Sequence, residues 1–293
     1  MSKYSRLRER ITQNAPKYGL NLRSASRADN KQLMLVHTKE YLNKVEKGNF
    51  SDVELRRLGF PWSSQMVIRS RHSTGASIDA GKSALANGIA GNLAGGTHHS
   101  FANSGQGYCV FNDVCVAIRV LQSEQLIERA LVIDCDVHQG NGTASITKND
   151  QSICAFSMHC DKNYPFQKTA GDFDVELPPK TNDPVYLQSL SDTLSKIEKV
   201  FRADIIFYLA GADPFEGDRL GHLSLSKTGL KKRDAVVFEF ATQNRIPIAF
   251  CMAGGYADDV ADIVDIHFAT VIEAADHYRF WATNEKKSGS ASF

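Results

Sequence analysis

Among its six cysteines this chain has no CxxC pair, and it has no apolar run long enough to cross a bilayer and no Pro/Gly/Ser-rich linker. Each absence removes a class. Cys109, Cys115, Cys135, Cys154, Cys160 and Cys251, several of them inside apolar runs, read as reduced packing residues of a reducing cytoplasm. The opening MSKYSRLRER has no signal-peptide core, so a membrane partner and secretion are not expected. A net charge of +1 gives no purchase for nucleic acid or for an acidic membrane surface. With no linker and no internal repeat, one domain is expected over residues 1–285, and KKSGSASF (286–293) has the small, polar composition of a flexible tail. What remains is a cytoplasmic globular protein of 293 residues, long enough for a sizeable core.

Short apolar runs supply the first positive signal. Leu131–Ile133, Ile153–Phe156, Ile205–Leu209 and Ile248–Met252 are too short for helices and close on polar or Gly residues, as buried parallel strands do. Gln32–Val36 reads as another strand, and Leu93-Ala94 as a very short one. Between them lie helical patterns, clearest over 184–202, where Leu187, Leu190, Leu194, Ile197 and Phe201 share one face. Weaker patterns cover 74–88, 112–126, 227–244 and 258–277. The alternation predicts an α/β fold with a single, mostly parallel open sheet flanked by helices on both faces.

Polar clusters sit at four strand ends, where open parallel sheets bind ligands. They are GGTHH (95–99), DCDVHQGNG (134–142), GADP (211–214) and AGGY (253–256). Buried Asp is costly unless it is paired or bound to a metal. In a strand, 134, 136 and 138 lean to the same side, so Asp136 and His138 can share an ion, with Asp213 as a third ligand from a neighbouring strand. Two carboxylates and an imidazole with open positions suit a catalytic zinc or similar divalent metal. Asp134 lies one layer in, placed to orient a ligand rather than to bind. The plainer alternative is a set of strand-end caps and salt bridges. His98-His99 would mean little as a surface pair, but beside a metal they suit proton transfer, with Asp134 and Asn141 as available acceptors for the other ring nitrogens. Tyr256 could donate to a carbonyl oxygen bearing developing charge.

These pieces resemble the metal-dependent histone deacetylase family, with its arginase-like fold. The likeness is carried by GGTHHSFANSGQGYCVFND (95–113), LVIDCDVHQGNGTASI (131–146), AGADPFEGDRLGHLSLS (210–226) and AGGY (253–256). Glu216–Gly221 (EGDRLG) and Asn141 favour the class IV-like branch and its bacterial relatives. The resemblance implies zinc on Asp136, His138 and Asp213, with iron(II) as an alternative occupant in the cell. It implies His99 as base and later acid, His98 as its electrostatic partner, Asp134 orienting His98, Asn141 orienting His99, and Tyr256 holding the acyl carbonyl. Gly107, Tyr108 and Gly255 would contact substrate, with Tyr164 or Phe166 as the opposite tunnel wall. A potassium ion would lie at Asp134, Asp136, His138, Ser157 and Met158. The implied activity is hydrolysis of acyl-lysine protein or peptide, or of an acylated polyamine; acyl length and oligomeric state stay open.

Relatives usually have a strand and an active-site loop before the stretch that MSKYSRLRERI resembles. A lost first strand, an exposed sheet edge and a wider pocket are therefore expected, with partner pairing along that edge. No rim carboxylate is assigned. Two other readings compete. A two-metal ureohydrolase on the same fold needs an Asp two positions after the His, where this chain has Gly140, and another two before Asp213, where it has Gly211. A non-catalytic acyl-lysine reader is the third.

Overall fold

The computed structural model describes residues 2–288, side chains at 280 and 282–288 excepted. In chain order the elements are α1 (Ser2–Tyr18), α2 (Asn30–Leu33), α3 (Lys39–Lys47), α4 (Asp52–Leu58), α5 (Ser64–Asn87), β1 (Ile89–Asn92) and α6 (Asp113–Ser123). There follow β2 (Ala130–Asp134), α7 (Asn141–Thr147), β3 (Ile153–Cys160), β4 (Phe173–Leu177), α8 (Asp183–Val200), β5 (Ile205–Leu209), α9 (Lys227–Gln243), β6 (Ile248–Cys251) and α10 (Val260–Ser288). The six strands form one sheet in the order β1-β6-β5-β2-β3-β4, and every pairing is parallel.

Strand alternation sorts the core into two layers. Leu131, Ile133, Phe156, Ile206, Tyr208 and Phe250 face α1, α8, α9 and α10 through Leu7, Ile11, Leu190, Val237 and Ile263. Val132, Phe207, Leu209 and Ala249 face α5 and α6 through Ile78, Ile118 and Leu121. Each large apolar side chain so buried stabilises the fold by roughly 1.5–3 kcal/mol. Strand order reverses between β2 and β5, and the crevice beyond their carboxyl ends is where such sheets bind ligands.

Several local expectations change. Gln32–Val36 is not a strand: Asp29 Oδ1 accepts from the Gln32 amide at 2.8 Å while Gln32 Oε1 accepts from the Asp29 amide at 3.0 Å. That capping box starts α2 and overrides the β-type run behind it. Leu93-Ala94 lies just past β1 rather than forming a strand. β4, absent from the sequence reading, alternates half-buried and exposed residues as a sheet-edge strand does. α5 begins ten residues before the expected 74, capped by Ser63. Residues 2–10 belong to α1, so no strand forms there, and β1 lies at an edge of the sheet. α10 continues through Ser288, and 289–293 of the expected tail lie outside the described residues.

Candidate active site

β2 ends at Asp134, so Asp136 and His138 stand on the bend after it. Their convergence is therefore made by side chain-to-backbone hydrogen bonds, not by strand alternation. The amide of Asp136 donates to Asp134 Oδ1 (3.1 Å), that of Val137 to Asp213 Oδ1 (2.9 Å) and that of His138 to Asp136 Oδ1 (3.0 Å). From the loop after β6, the Gly254 amide donates to Asp136 Oδ2 at 2.7 Å. A Cβ at position 254 would stand 1.8 Å from Asp213 Oδ2, so only glycine lets that backbone come so close.

Asp136, His138 and Asp213 are all buried, and one potential ligand atom from each lies within 4.8 Å of the others. Asp213 Oδ2 is buried without a hydrogen bond, although His138 Nδ1 is 3.3 Å away. Burial disfavours charge on His138, but the hydrogen bond to Asp136 and the nearby Asp213 and Asp136 carboxylates prevail and raise it to about 10. Burial, then the charge of Asp136, pushes Asp213 up to about 7. Two carboxylates forced this close in a dry site, one with an orphaned oxygen, have the donor chemistry of a divalent-cation site.

The histidine pair comes from the loop after β1. Asp113, fully buried, ties that loop through the amides of Gly96 (3.1 Å) and Thr97 (2.7 Å) and the Thr97 hydroxyl (2.6 Å). The two rings lie 4.1 Å apart, centroid to centroid. His98 Nδ1 lies 2.6 Å from Asp134 Oδ2, and His99 Nδ1 lies 2.8 Å from Asn141 Oδ1. An amide oxygen only accepts, so His99 carries its proton on Nδ1 and leaves Nε2 free as a base. Burial disfavours charge on His98, yet Asp134 and Asp136 raise it to about 9. His99 is held well below the usual histidine range by burial, then by the charges of His98 and His138.

Tyr256 faces His138 with ring centroids 6.4 Å apart, and burial, followed by the charges of Asp136 and Asp213, keeps its phenol protonated. Three residues that the sequence reading left without a role hold its loop. Asp218 Oδ2 accepts from the Tyr256 amide at 2.5 Å, and Arg219 Nε donates to the Tyr256 carbonyl at 3.1 Å. Lys3 Nζ donates to the carbonyls of Gly255 (3.2 Å) and Ala253 (3.4 Å) and lies 5.3 Å from the Tyr256 ring centre. The EGDRLG run was a visible signal for Asp218 and Arg219; nothing local marked Lys3.

Around the pocket, Gly107 (φ +55°) presses so close that a Cβ there would stand 2.5 Å from His99 Cδ2. Tyr108 is 6.0 Å from Tyr256 and stacks on Phe60 at 6.2 Å. Tyr164 meets His99 edge-on at 4.9 Å, whereas Phe166 is 89% exposed. Gly255 lies against Ala212 and Ile263, behind Tyr256. Ser157 pairs with Asp134 in the β2–β3 register, with Met158 buried next to it.

A family model described as the histone deacetylase domain matches residues 1–271. An uncharacterized protein of Picosynechococcus is 40% identical over 250 residues, covering 85% of this chain and 83% of that protein. Histone deacetylase 2 of Arabidopsis thaliana is 32% identical (79% of this chain, 62% of that protein), and acetoin utilization protein AcuC of Bacillus subtilis 29% (67% and 56%). This chain thus spans less than two thirds of those last two. Among solved structures, an HDAC homolog from Aquifex aeolicus superposes with a TM-score of 0.77 at 22% identity, over 91% of this chain and 77% of that one. The same score, at 23% identity and with the same coverage, is found for an HDAC homolog complexed with SAHA. The domain match over most of its length makes the chain a member of the histone deacetylase family.

Proposed function

We propose that this protein is a metal-dependent amidohydrolase that removes acetyl or other acyl groups from acyl-lysine or related acylated amines. The observation that carries the reading is the buried Asp136–His138–Asp213 cluster, ligand atoms within 4.8 Å, with His99 at 5.9 Å and Tyr256 at 6.4 Å from the His138 ring. Membership of the deacetylase family supports the same reaction class. Zinc is the proposed ion, with iron(II) as the alternative in the cell, and potassium is proposed beside Asp134, Asp136, His138, Ser157 and Met158.

A divalent ion held by the three ligands would polarise the acyl carbonyl and acidify a water. His99 Nε2 takes the water's proton as it attacks, its ring fixed by Asn141. His98, positively charged at neutral pH and anchored on Asp134, offsets negative charge beside it. The Tyr256 hydroxyl donates to the oxyanion, and His99 returns its proton to the departing amine, leaving free amine and carboxylate. Gly107, Tyr108 and Tyr164 line the approach, with Gly255 supporting Tyr256.

The test is metal content of the purified protein with turnover of acetyl- and longer acyl-lysine peptides and acetylated polyamines measured side by side, using a hydroxamate as inhibitor control. Metal bound by wild type and lost in Asp213→Asn, with peptide hydrolysis, is the expected result. Polyamine turnover alone would move the substrate class. Hydroxamate binding with no hydrolysis of any substrate would favour an acyl-lysine reader. Two manganese ions per chain would revive the ureohydrolase reading, which Gly140 and Gly211 oppose.

A further inference from the structure

We infer that Arg233, on α9, is a positioning residue for the ligand set: from inside the fold its guanidinium fastens together the two strand ends that carry Asp136 and Asp213. The inference rests on the metal-site reading above. Arg233 has 0% exposure, and a buried guanidinium is tolerated only when its N–H groups are paired. Asp234 takes two of them on one oxygen, Nε at 2.9 Å and Nη2 at 2.8 Å. Nη1 is left to donate to two backbone carbonyls, Gly211 at 2.5 Å and Cys135 at 3.3 Å. Cys135 lies between Asp134 and Asp136, and Gly211 two residues before Asp213.

The place of this contact in the sheet gives it meaning. The β2–β5 ladder ends with the Cys135 amide on the Leu209 carbonyl at 3.1 Å, and the paired register stops at Asp134 opposite Leu209. One residue further the two chains leave the sheet and turn toward the site. Two carbonyls cannot bond each other, but one guanidinium nitrogen can donate to both. Arg233 thus supplies a side-chain rung where the backbone rungs stop. The rung is anchored in its turn, because Asp234 accepts from the Tyr208 hydroxyl at 2.5 Å and from Thr270 Oγ1 at 2.6 Å. Tyr208 belongs to β5 and Thr270 to α10, so α10, α9 and both ligand-bearing ends form one connected frame. An apolar side chain of similar volume could fill this space but could not hold a carbonyl. Groups that hold ligand-bearing backbone in this way orient the ligands and so set metal affinity.

The experiment uses full-length protein stripped of metal and titrated with Co²⁺ and Zn²⁺ against a chromophoric chelator, alongside thermal melting of the metal-free protein. Arg233→Met is expected to weaken metal binding tenfold or more and to change the visible Co²⁺ absorption bands. Arg233→Lys, which keeps the charge but loses the fork, should recover part of the affinity. A purely structural role would lower the melting temperature and leave dissociation constant and spectrum at wild-type values, and that result overturns the inference. If Arg233→Met does not fold, Thr270→Val, which removes one anchor of Asp234, decides instead: weaker metal binding supports the inference and unchanged binding overturns it. Metal loss in Asp213→Asn with no change in the Arg233 variants sinks this inference alone. A wild-type protein that binds no divalent ion sinks the metal reading together with it.

Discussion

Nδ1 of His99 donates to the side-chain oxygen of Asn141 at 2.8 Å, while the same nitrogen of its neighbour His98 meets a carboxylate, Asp134, at 2.6 Å. The two adjacent imidazoles shift in opposite directions: Asp134 and Asp136 overcome burial and raise His98 to about 9, while burial, then the charges of His98 and His138, holds His99 well below the ordinary histidine range. In the proposed reaction that difference suits His98 to the part of a cation and His99 to that of a neutral base.

The first prediction concerns that neutral partner. A base must be unprotonated to act, so activity is lost as pH falls through the His99 pKa. Asn141→Asp adds a negative charge against Nδ1 and stabilises the imidazolium, moving the acid limb of kcat/KM to higher pH. An acid limb that coincides in the two proteins would remove Asn141 from this role.

Tyr256→Phe should retain metal and fold normally but lose about 100- to 1000-fold in kcat, the usual cost of deleting one oxyanion donor. Metal content and steady-state kinetics on one acyl-lysine peptide check both halves. Near-wild-type turnover would exclude the tyrosine from catalysis.

Lys3 holds the backbone on the near side of that tyrosine through the carbonyls of Ala253 and Gly255. Lys3→Met should lower kcat roughly tenfold, about 1.4 kcal/mol in the barrier, with metal content unchanged. Lys3→Arg should restore part of the rate. If Lys3→Met turns over as wild type does, the loop is held without it.

Stability should fall in mild acid. His37 is buried with Nδ1 on the Phe101 carbonyl (3.1 Å) and Nε2 accepting from the Asn112 amide (3.1 Å), and burial lowers its pKa to about 4. The unfolded chain binds this proton near 6.5 and the folded one only near 4, so stability present above 6.5 is lost as pH falls between those values. The loss is roughly 3 kcal/mol at most. Urea unfolding at pH 7 and pH 4.5 should show a smaller difference for His37→Gln than for wild type. His159, also lowered to about 4 by burial, accounts for part of the slope that remains. Equal slopes would mean that His37 is protonated without strain in the fold.

Much of the site was readable because its chemistry is concentrated in short runs at strand ends: Asp136-Val-His138, His98-His99 and Gly254-Gly255-Tyr256 each carry their own signal. The central strands were equally plain, since Val/Ile/Phe runs buried on both faces leave little alternative. β4 escaped because one of its faces is wet and its apolar residues alternate with Asp174 and Glu176. α2 departs from the strand expected there because the deciding feature is the Asp29–Gln32 capping pair, not the apolar residues after it. Arg233 and Asp234 were passed over although they fall on the buried stripe of Leu230, Val237 and Ala241, where charge is unexpected. Lys3 was not legible at all, because only the folded chain brings it to a carbonyl 252 positions away.

The alignment of β2 against β5, Asp134 opposite Leu209, also bears on how such a protein can change over time. Strand alignment moves only in whole residues, and a one-residue slip turns every side chain to the opposite face. An insertion or deletion within either strand is therefore all or nothing for the groups beyond it. A change of length in the connecting loops leaves that alignment untouched, so the spacing of the acidic groups is kept or lost with the strands themselves.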